Sequence, residues 1–251
     1  MGAAELRVVG LGGLPDMKPG HDIAALVLEA AERQGTPLEA GDVLIVTQKI
    51  VSKTEGRVVA LAEVEPGAEA RTLAEETGKD PRLAELILRE SQRIVRKAGP
   101  VLITETRHGF VCANAGVDVS NVGQGLVALL PEDPDRSAEE IRSGVRERTG
   151  CEVAVVISDT FGRPWREGHT NVAVGVAGMA PFADYVGQVD PYGQELRVST
   201  LAVADELAGA AELVMGKLSG VPVAIIRGYD YPKGHGTARD MIRPPERDLF
   251  R

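Results

Sequence analysis

The sequence predicts a mixed α/β (α+β) fold, with mixed sheets that contain antiparallel strand pairs rather than one purely parallel sheet. Three observations lead there. Short apolar runs such as "DVLIV", "EVAVVIS" and "VPVAII" have the length of buried strands. Other stretches, such as "IAALVLEAAERQG", carry apolar residues at helical spacing. The two kinds of segment do not alternate strictly, and "VLITETRHGFVCANAG" reads as two strands joined near His108 and Gly109.

Along the chain, "ELRVVGL" is a first strand and "GLPDMKPGHD" a turn-rich loop. Asp22 is placed to cap the helix "IAALVLEAAERQG", which stops at Gly35. "DVLIVTQKIVSK" reads as a buried strand running into polar residues. "EPGAEARTLAEETGKDPRLAELILRESQRIVR" carries two helical patterns split near Asp80 and Pro81. Ser137 and Glu140 fit a capping box that opens the helix "AEEIRSGVRERTG". "EVAVVISDT" and "NVAVGVAGM" are further strands, "STLAVADELAGAAELVMGK" a long helix and "VPVAIIRG" the last clear strand. The tail "PKGHGTARDMIRPPERDLFR" is basic and Pro-rich, with no clear pattern. No repeat or flexible linker divides the chain, so residues 1–251 read as one unit, with two intertwined subdomains as an option.

A formal net charge of −9 argues against a general nucleic-acid surface. An anionic ligand then requires positive charge gathered locally. The start "MGAAELRVVG" has no signal-peptide core and fails the myristoylation pattern at Leu6, and no apolar run spans a bilayer. A cytoplasmic location is the expectation. Cys112 and Cys151 form no metal-ligand pair, and His21, His108, His169 and His235 are scattered, so a thiol or histidine metal cage is not suggested. There is no P-loop, and "GLGGLP" has Pro15 where a dinucleotide loop needs its third glycine. The fold is therefore read as neither P-loop nor Rossmann.

What remains is oxygen chemistry. Asp118, Asp159 and Thr160 follow apolar runs that stop abruptly, where side chains can project from a rigid scaffold into a cleft. Carboxylate and hydroxyl oxygens suit a hard cation such as Mg2+ or Mn2+, bound through one or two carboxylates, water and phosphate. The competing reading is ordinary turn and capping aspartates. Lys49 and Lys53 follow "DVLIV", where two ammonium groups would suit a triphosphate; the alternative is a solvated strand end. Arg163, Arg166 and Lys217 are candidates for a second anionic ligand.

Taken together, "GLPDMKPG", "DVLIVTQKIVSKTEGR", "VCANAGVDVSN", "ISDTFGRPWREG", "VADELAGAAELVMGK" and "VPVAIIRG" resemble the coenzyme F420-0:L-glutamate ligase family. The likeness runs from about Leu6 to about Gly228, and is close to the ligase half of a two-domain actinobacterial form without its C-terminal flavin-binding domain. The resemblance implies a ligase that uses GTP to add L-glutamate to coenzyme F420-0 or its dehydro form, through an acyl phosphate. It implies divalent ions on Asp118 and Asp159, with Thr160 helping a second ion and potassium a further candidate. It places Leu14, Pro15, Asp16 and Met17 in the nucleotide pocket, with Gln48, Lys49, Lys53 and Asn121 also touching the nucleotide. It implies a homodimer. One departure stands out: some archaeal members carry an acidic residue after "MG", and here that position is Lys217. The rivals are the same site acting on another carboxylate acceptor and a non-catalytic nucleotide-binding module.

Overall fold

The computed structural model describes residues 5–248. Residues 1–4, part of the stretch read for a leader or acyl anchor, and 249–251, the end of the tail, lie outside the described residues. The chain order opens with β1 (Arg7–Leu11), α1 (Ile23–Arg33), β2 (Val43–Thr47), α2 (Gln48–Thr54), β3 (Val58–Ala60), α3 (Ala68–Thr77) and α4 (Pro81–Glu90). It continues through β4 (Ser91–Ala98), β5 (Val101–Thr106), β6 (Val111–Ala113), β7 (Leu126–Ala128) and α5 (Pro134–Thr149). It closes with β8 (Ala154–Arg163), β9 (Arg166–Ala177), β10 (Ala183–Asp184), β11 (Thr200–Leu201), α6 (Val203–Met215) and β12 (Val223–Arg227).

The main sheet has the order β1-β12-β2-β8-β9. Among the described residues, β2 and β8 are its parallel neighbours and its other pairs are antiparallel. This is the mixed sheet with antiparallel pairs that the broken alternation of helices and strands predicts. Val43, Leu44, Ile45 and Val46 of β2 are all 0% exposed, because the central strand is covered on both faces. Each such side chain contributes about 1.5–3 kcal/mol of burial, so the run "VLIV" dictates a central position. A second apolar cluster lies outside this sheet, where Leu73 of α3 and Leu86 and Ile87 of α4 pack with Leu102 of β5 and Val117. The three-stranded sheet β4-β5-β6 belongs to this part.

Four local expectations change. "TQKIVSK" is not a strand end: the chain turns at Thr47 into α2, so Lys49 and Lys53 stand one helical turn apart on the same face. The second helical pattern stops at Glu90; "SQRIVRKA" is instead strand β4, paired with β5. The cap of α5 is Asp133, whose carboxylate accepts from the Arg136 N–H, with Pro134 in the first turn. Ser137 lies inside that helix and donates to Glu55 Oε1 and the Asp133 carbonyl. The Gly- and Pro-containing stretch from Gly162 to Gly168, which by composition reads as a loop able to cover a site, is instead the tip of the β8–β9 hairpin. Asp22 does cap α1, accepting from the Ala25 N–H. The tail contains two short 3-10 turns, Ala238–Met241 and Pro245–Arg247.

Candidate nucleotide and metal site

Parallel pairing sets Thr47 of β2 beside Ser158 of β8, so both strands lead the chain out at the same edge of the sheet. From β2 comes α2; from β8 come Asp159 and Thr160. The β8–β9 register shifts between Ile157 and Ser158, an irregularity within the strand that re-aims the side chains after it. From the other apolar cluster, β6 runs into Asn114, Ala115 and Gly116, three successive residues with positive φ (54°, 55° and 70°). Left-handed backbone at Asn114 and Ala115 costs energy that surrounding packing must hold. Gly116 sits so close to Leu130 that an added Cβ would lie 2.7 Å from Leu130 Cγ. This sharp turn, hidden in "CANAG", returns the chain to Asp118.

These pieces line one cavity of ≈ 830 Å³, within the size range of small-molecule sites. Leu14, Pro15, Asp16, Met17, Gln48, Lys49, Lys53, Asp118, Asn121, Asp159, Thr160 and Lys217 all face it. Arg163 and Arg166 do not line it: they pair across the hairpin tip, where Arg163 donates to the carbonyls of Glu167 and Gly168. Sequence reading gave no site role to Asn114, Ser158, Asn171 and Glu212, which line the cavity as well. Asn171 and Glu212 stand apart from any motif, and only pairing and packing reveal them, as when Thr160 meets its register partner Asn171.

One side of the cavity is already neutralised. Lys49 Nζ lies 2.7 Å from Asp118 Oδ2 and 2.9 Å from Ser120 Oγ. The Ser120 N–H and hydroxyl both donate to the Asp118 carboxylate. Burial works against ionisation of Asp118, but these donors and the Lys49 charge together hold its carboxyl below the ordinary range. Lys53 Nζ lies 2.7 Å from the exposed Asp16 carboxylate. The opposite side is different. Asp159 has no side-chain partner among the described residues, and desolvation first, then the Asp118 charge, pushes its carboxyl up to about 6 against the backbone N–H of Thr160 and the charges of Lys49 and Lys217. It keeps some exposure because it faces the cavity while protein surrounds the rest of it. Next to it, Lys217 Nζ donates to Thr160 Oγ1, the Thr160 hydroxyl reaches Asn171 Oδ1 at 2.8 Å, and Asn171 Nδ2 donates to Glu212 Oε2 at 2.9 Å.

Does a divalent ion fit? Asp118 and Asp159 face the same cavity, and Asp159, largely desolvated, forms no ion pair among the described residues. A hard cation supplies what that acid lacks. Ser158 Oγ, Gln48 Nε2 and Asn114 Oδ1 are buried lining atoms without hydrogen-bond partners, further polar groups left for a ligand or its water. Among the described residues no group of three or more His, Cys, Asp or Glu could hold a metal, so an ion here depends on water and ligand oxygens for the rest of its shell. A second divalent ion at Thr160 fits poorly, because that hydroxyl already holds an ammonium group. Burial and the Asp159 charge push the Cys112 thiol up to about 12, which rules it out as a thiolate nucleophile at neutral pH. Among the described residues, no helix is long and apolar enough to cross a membrane.

The residues that line this cavity, Leu14 to Pro222, fall within the span that matches known proteins. The profile of the F420-0:Gamma-glutamyl ligase family matches residues 13–228. The protein named Coenzyme F420:L-glutamate ligase in Methanothermobacter thermautotrophicus is 51% identical over 98% of this chain and 99% of its own length. Its namesake in Methanopyrus kandleri is 49% identical over 96% of this chain and 100% of its own length. The one in Methanocaldococcus jannaschii is 45% identical, covering 98% and 97% respectively. Identity of this extent, along almost the full length of each chain, means that this chain belongs to the F420-0:Gamma-glutamyl ligase family.

Proposed function

We propose that this protein is a ligase that joins L-glutamate to coenzyme F420-0, or to its dehydro form, at the expense of GTP. The observation that carries the reading is convergence. Two lysines one helical turn apart and two carboxylates from distant segments face a single cavity, beside buried polar atoms that have no partner. Family membership supplies the substrates, and the charge pattern suits a polyphosphate with a divalent ion.

A carboxylate does not condense with an amine until one of its oxygens becomes a leaving group. In this reading a terminal carboxylate oxygen of the acceptor attacks the γ-phosphorus of GTP. The bond to the β-phosphate oxygen breaks, GDP departs with the electron pair, and an acyl phosphate remains. The neutral amine of L-glutamate then adds to the acyl carbon, loses a proton, and expels inorganic phosphate to leave the amide. Such chemistry asks for positioning and charge neutralisation more than for a covalent nucleophile. Lys49 and Lys53 take that role for the phosphates, and Asp118 and Asp159 would hold the ion. When bound, Mg2+ or Mn2+ neutralises charge on the transferring phosphoryl group. Asp16, Met17 and Asn121 border the nucleotide. The cavity lies between residues of the main sheet and of β5 and β6, and the bound substrates would have to complete the exclusion of water that otherwise hydrolyses an acyl phosphate.

The test is mass spectrometry of the deazaflavin product after incubation with GTP, Mn2+ and L-glutamate. Product heavier by whole glutamyl residues supports the reading, and the mass also counts the glutamates added. With oxygen-18 in the acceptor carboxylate, label in inorganic phosphate supports the acyl phosphate, and label in GMP points to nucleotidyl transfer. GTP consumption with label in neither product would leave only hydrolysis. A homodimer belongs to the same reading, and exposed apolar side chains such as Tyr192, Val198 and Leu201 offer a surface for a second copy. Sedimentation analysis measures it.

A further inference from the structure

Lys217 reaches the cavity from just beyond the C-terminal end of α6, after Gly216 ends the helix. Its ammonium group donates to Oγ1 of Thr160, the residue next to Asp159 in the cavity lining. Among the described residues it forms no ion pair, unlike Lys49 and Lys53 on the other side. An ammonium without a carboxylate of its own, held on a hydroxyl beside an unpartnered acid, is a built-in cation. The Thr160 hydroxyl is also used on its other side, by Asn171, and Asn171 is fixed in turn by Glu212. This chain of hydrogen bonds holds the Thr160 oxygen toward Lys217. A divalent ion on the same oxygen would meet a positive charge at hydrogen-bond range, with few acidic groups left to compensate.

We infer that Lys217 takes the place of a second divalent cation, so that this protein works with one ion, held by Asp118 and Asp159, and one fixed ammonium aimed at the phosphates. The inference rests on the metal- and nucleotide-dependent reading above and narrows it. Two carboxylates are enough for one magnesium-type ion whose remaining positions go to water and phosphate. The ammonium offers a point charge and rotatable donors to a phosphate oxygen, without a hydration shell to strip from a metal.

Equilibrium dialysis of the full chain against Mn2+, with and without a non-hydrolysable GTP analogue, counts bound ions, and electron paramagnetic resonance reports whether any two are spin-coupled. The wild type is expected to bind one ion per chain in both conditions, with the spectrum of an isolated Mn2+. Lys217→Glu is expected to bind two, with a coupled spectrum, because it replaces the ammonium by a further carboxylate. Circular dichroism verifies that the variant is folded, and the wild-type count stands whatever the variant does. Two coupled ions in the wild type would overturn the inference. So would a folded Lys217→Glu protein that still holds one. No bound Mn2+ in either condition would instead sink the metal reading of Asp118 and Asp159, and the inference with it.

Discussion

The two sides of the cavity hold their charges in opposite ways. On the side built from α2 and the loop after β6, each ammonium already has a carboxylate: Lys49 has Asp118 and Lys53 has Asp16. On the side built from β8 and the end of α6, the Lys217 charge favours ionised Asp159, yet neither residue forms an ion pair among the described residues. The first side is stable as it stands, and a ligand must exchange partners to enter it. The second carries the cost of charges that are incompletely matched. Local violations of good electrostatics tend to gather where function needs them, and here the mismatch faces the proposed phosphoryl-transfer position.

The largest expected effect removes that distinction. Asp118→Asn or Asp159→Asn each deletes a formal charge that, in the proposed reading, holds a cation against a polyanion. Losing even an outer partner of a metal ligand costs about 10–100-fold, so losing a ligand itself should lower ligation by more than about 100-fold. Turnover at limiting Mn2+ measures it. A variant with normal activity there would take its residue out of the metal site.

Stability should separate the same two variants. In metal-free protein the Asp159 carboxyl titrates near 6 instead of its usual 3.8. Between those values the unfolded chain has lost the proton and the folded chain keeps it, so stability falls as pH rises from about 4 to 6 and stays lower above that. The groups that set this are Asp118, Lys49 and Lys217, with burial the leading cause. Asp159→Asn removes the drop and should stabilise the metal-free protein at pH 7 by on the order of 2–3 kcal/mol. Asp118 behaves in the opposite sense. Its carboxyl is held low, so its contribution is present at neutral pH and lost as acid drives the pH through the lowered pKa. Its side chain is 38% exposed, so Asp118→Asn should cost only about 0–1 kcal/mol. Thermal melts at pH 4.5 and 7 in chelator test the pair. Equal shifts for both variants would mean that the two sides are not electrostatically distinct.

The contrast between the sides was partly legible in the sequence. Asp118 and Asp159 stood out because apolar runs end abruptly in front of them, although strand β8 itself runs on through Asp159 to Arg163. Lys49 and Lys53 were found for the wrong local reason. Seven helical residues are too few for periodicity to show, and Ile50 and Val51 read naturally as a continuing strand. Strand β4 was missed because nothing between Glu90 and Ser91 breaks the pattern; its pairing with β5 decides the matter, and pairing is a long-range fact. Asn171 and Glu212 were illegible for the same reason, since they meet Thr160 only through the β8–β9 register and the packing of α6.

Lys53→Ala tests the neutralised side from the nucleotide. Its partner Asp16 is 79% exposed, so little stability rides on that pair. If Lys53 transfers to phosphate, losing one charge-assisted contact should weaken nucleotide binding by about 1.5–3 kcal/mol, or roughly ten- to a hundred-fold. Titration calorimetry with a non-hydrolysable GTP analogue reads it directly. A change below about two-fold would return Lys53 to the role of a surface lysine.

The smallest effect is the sharpest test of partner exchange. Lys49 now occupies the Asp118 oxygen that a metal ion would need. Without nucleotide, an entering ion must displace that ammonium and leave it with no anion to take. With nucleotide present, the displaced Lys49 has a phosphate to move to. Lys49→Ala should therefore act with opposite signs on two measurements. Binding of Mn2+ alone should tighten by a few-fold, since the pair it competes with is worth up to about 1 kcal/mol at this exposure. Binding of the nucleotide analogue in the presence of Mn2+ should weaken, because the phosphate loses a cation. An ammonium that only holds the Asp118 loop in place would give a different result: its loss would loosen the carboxylate and weaken both. Calorimetric titration of wild type and Lys49→Ala, with ion alone and with ion and analogue together, distinguishes the two. Weakening in both titrations would show that the neutralised side is a structural clamp and not a site waiting to exchange its partners.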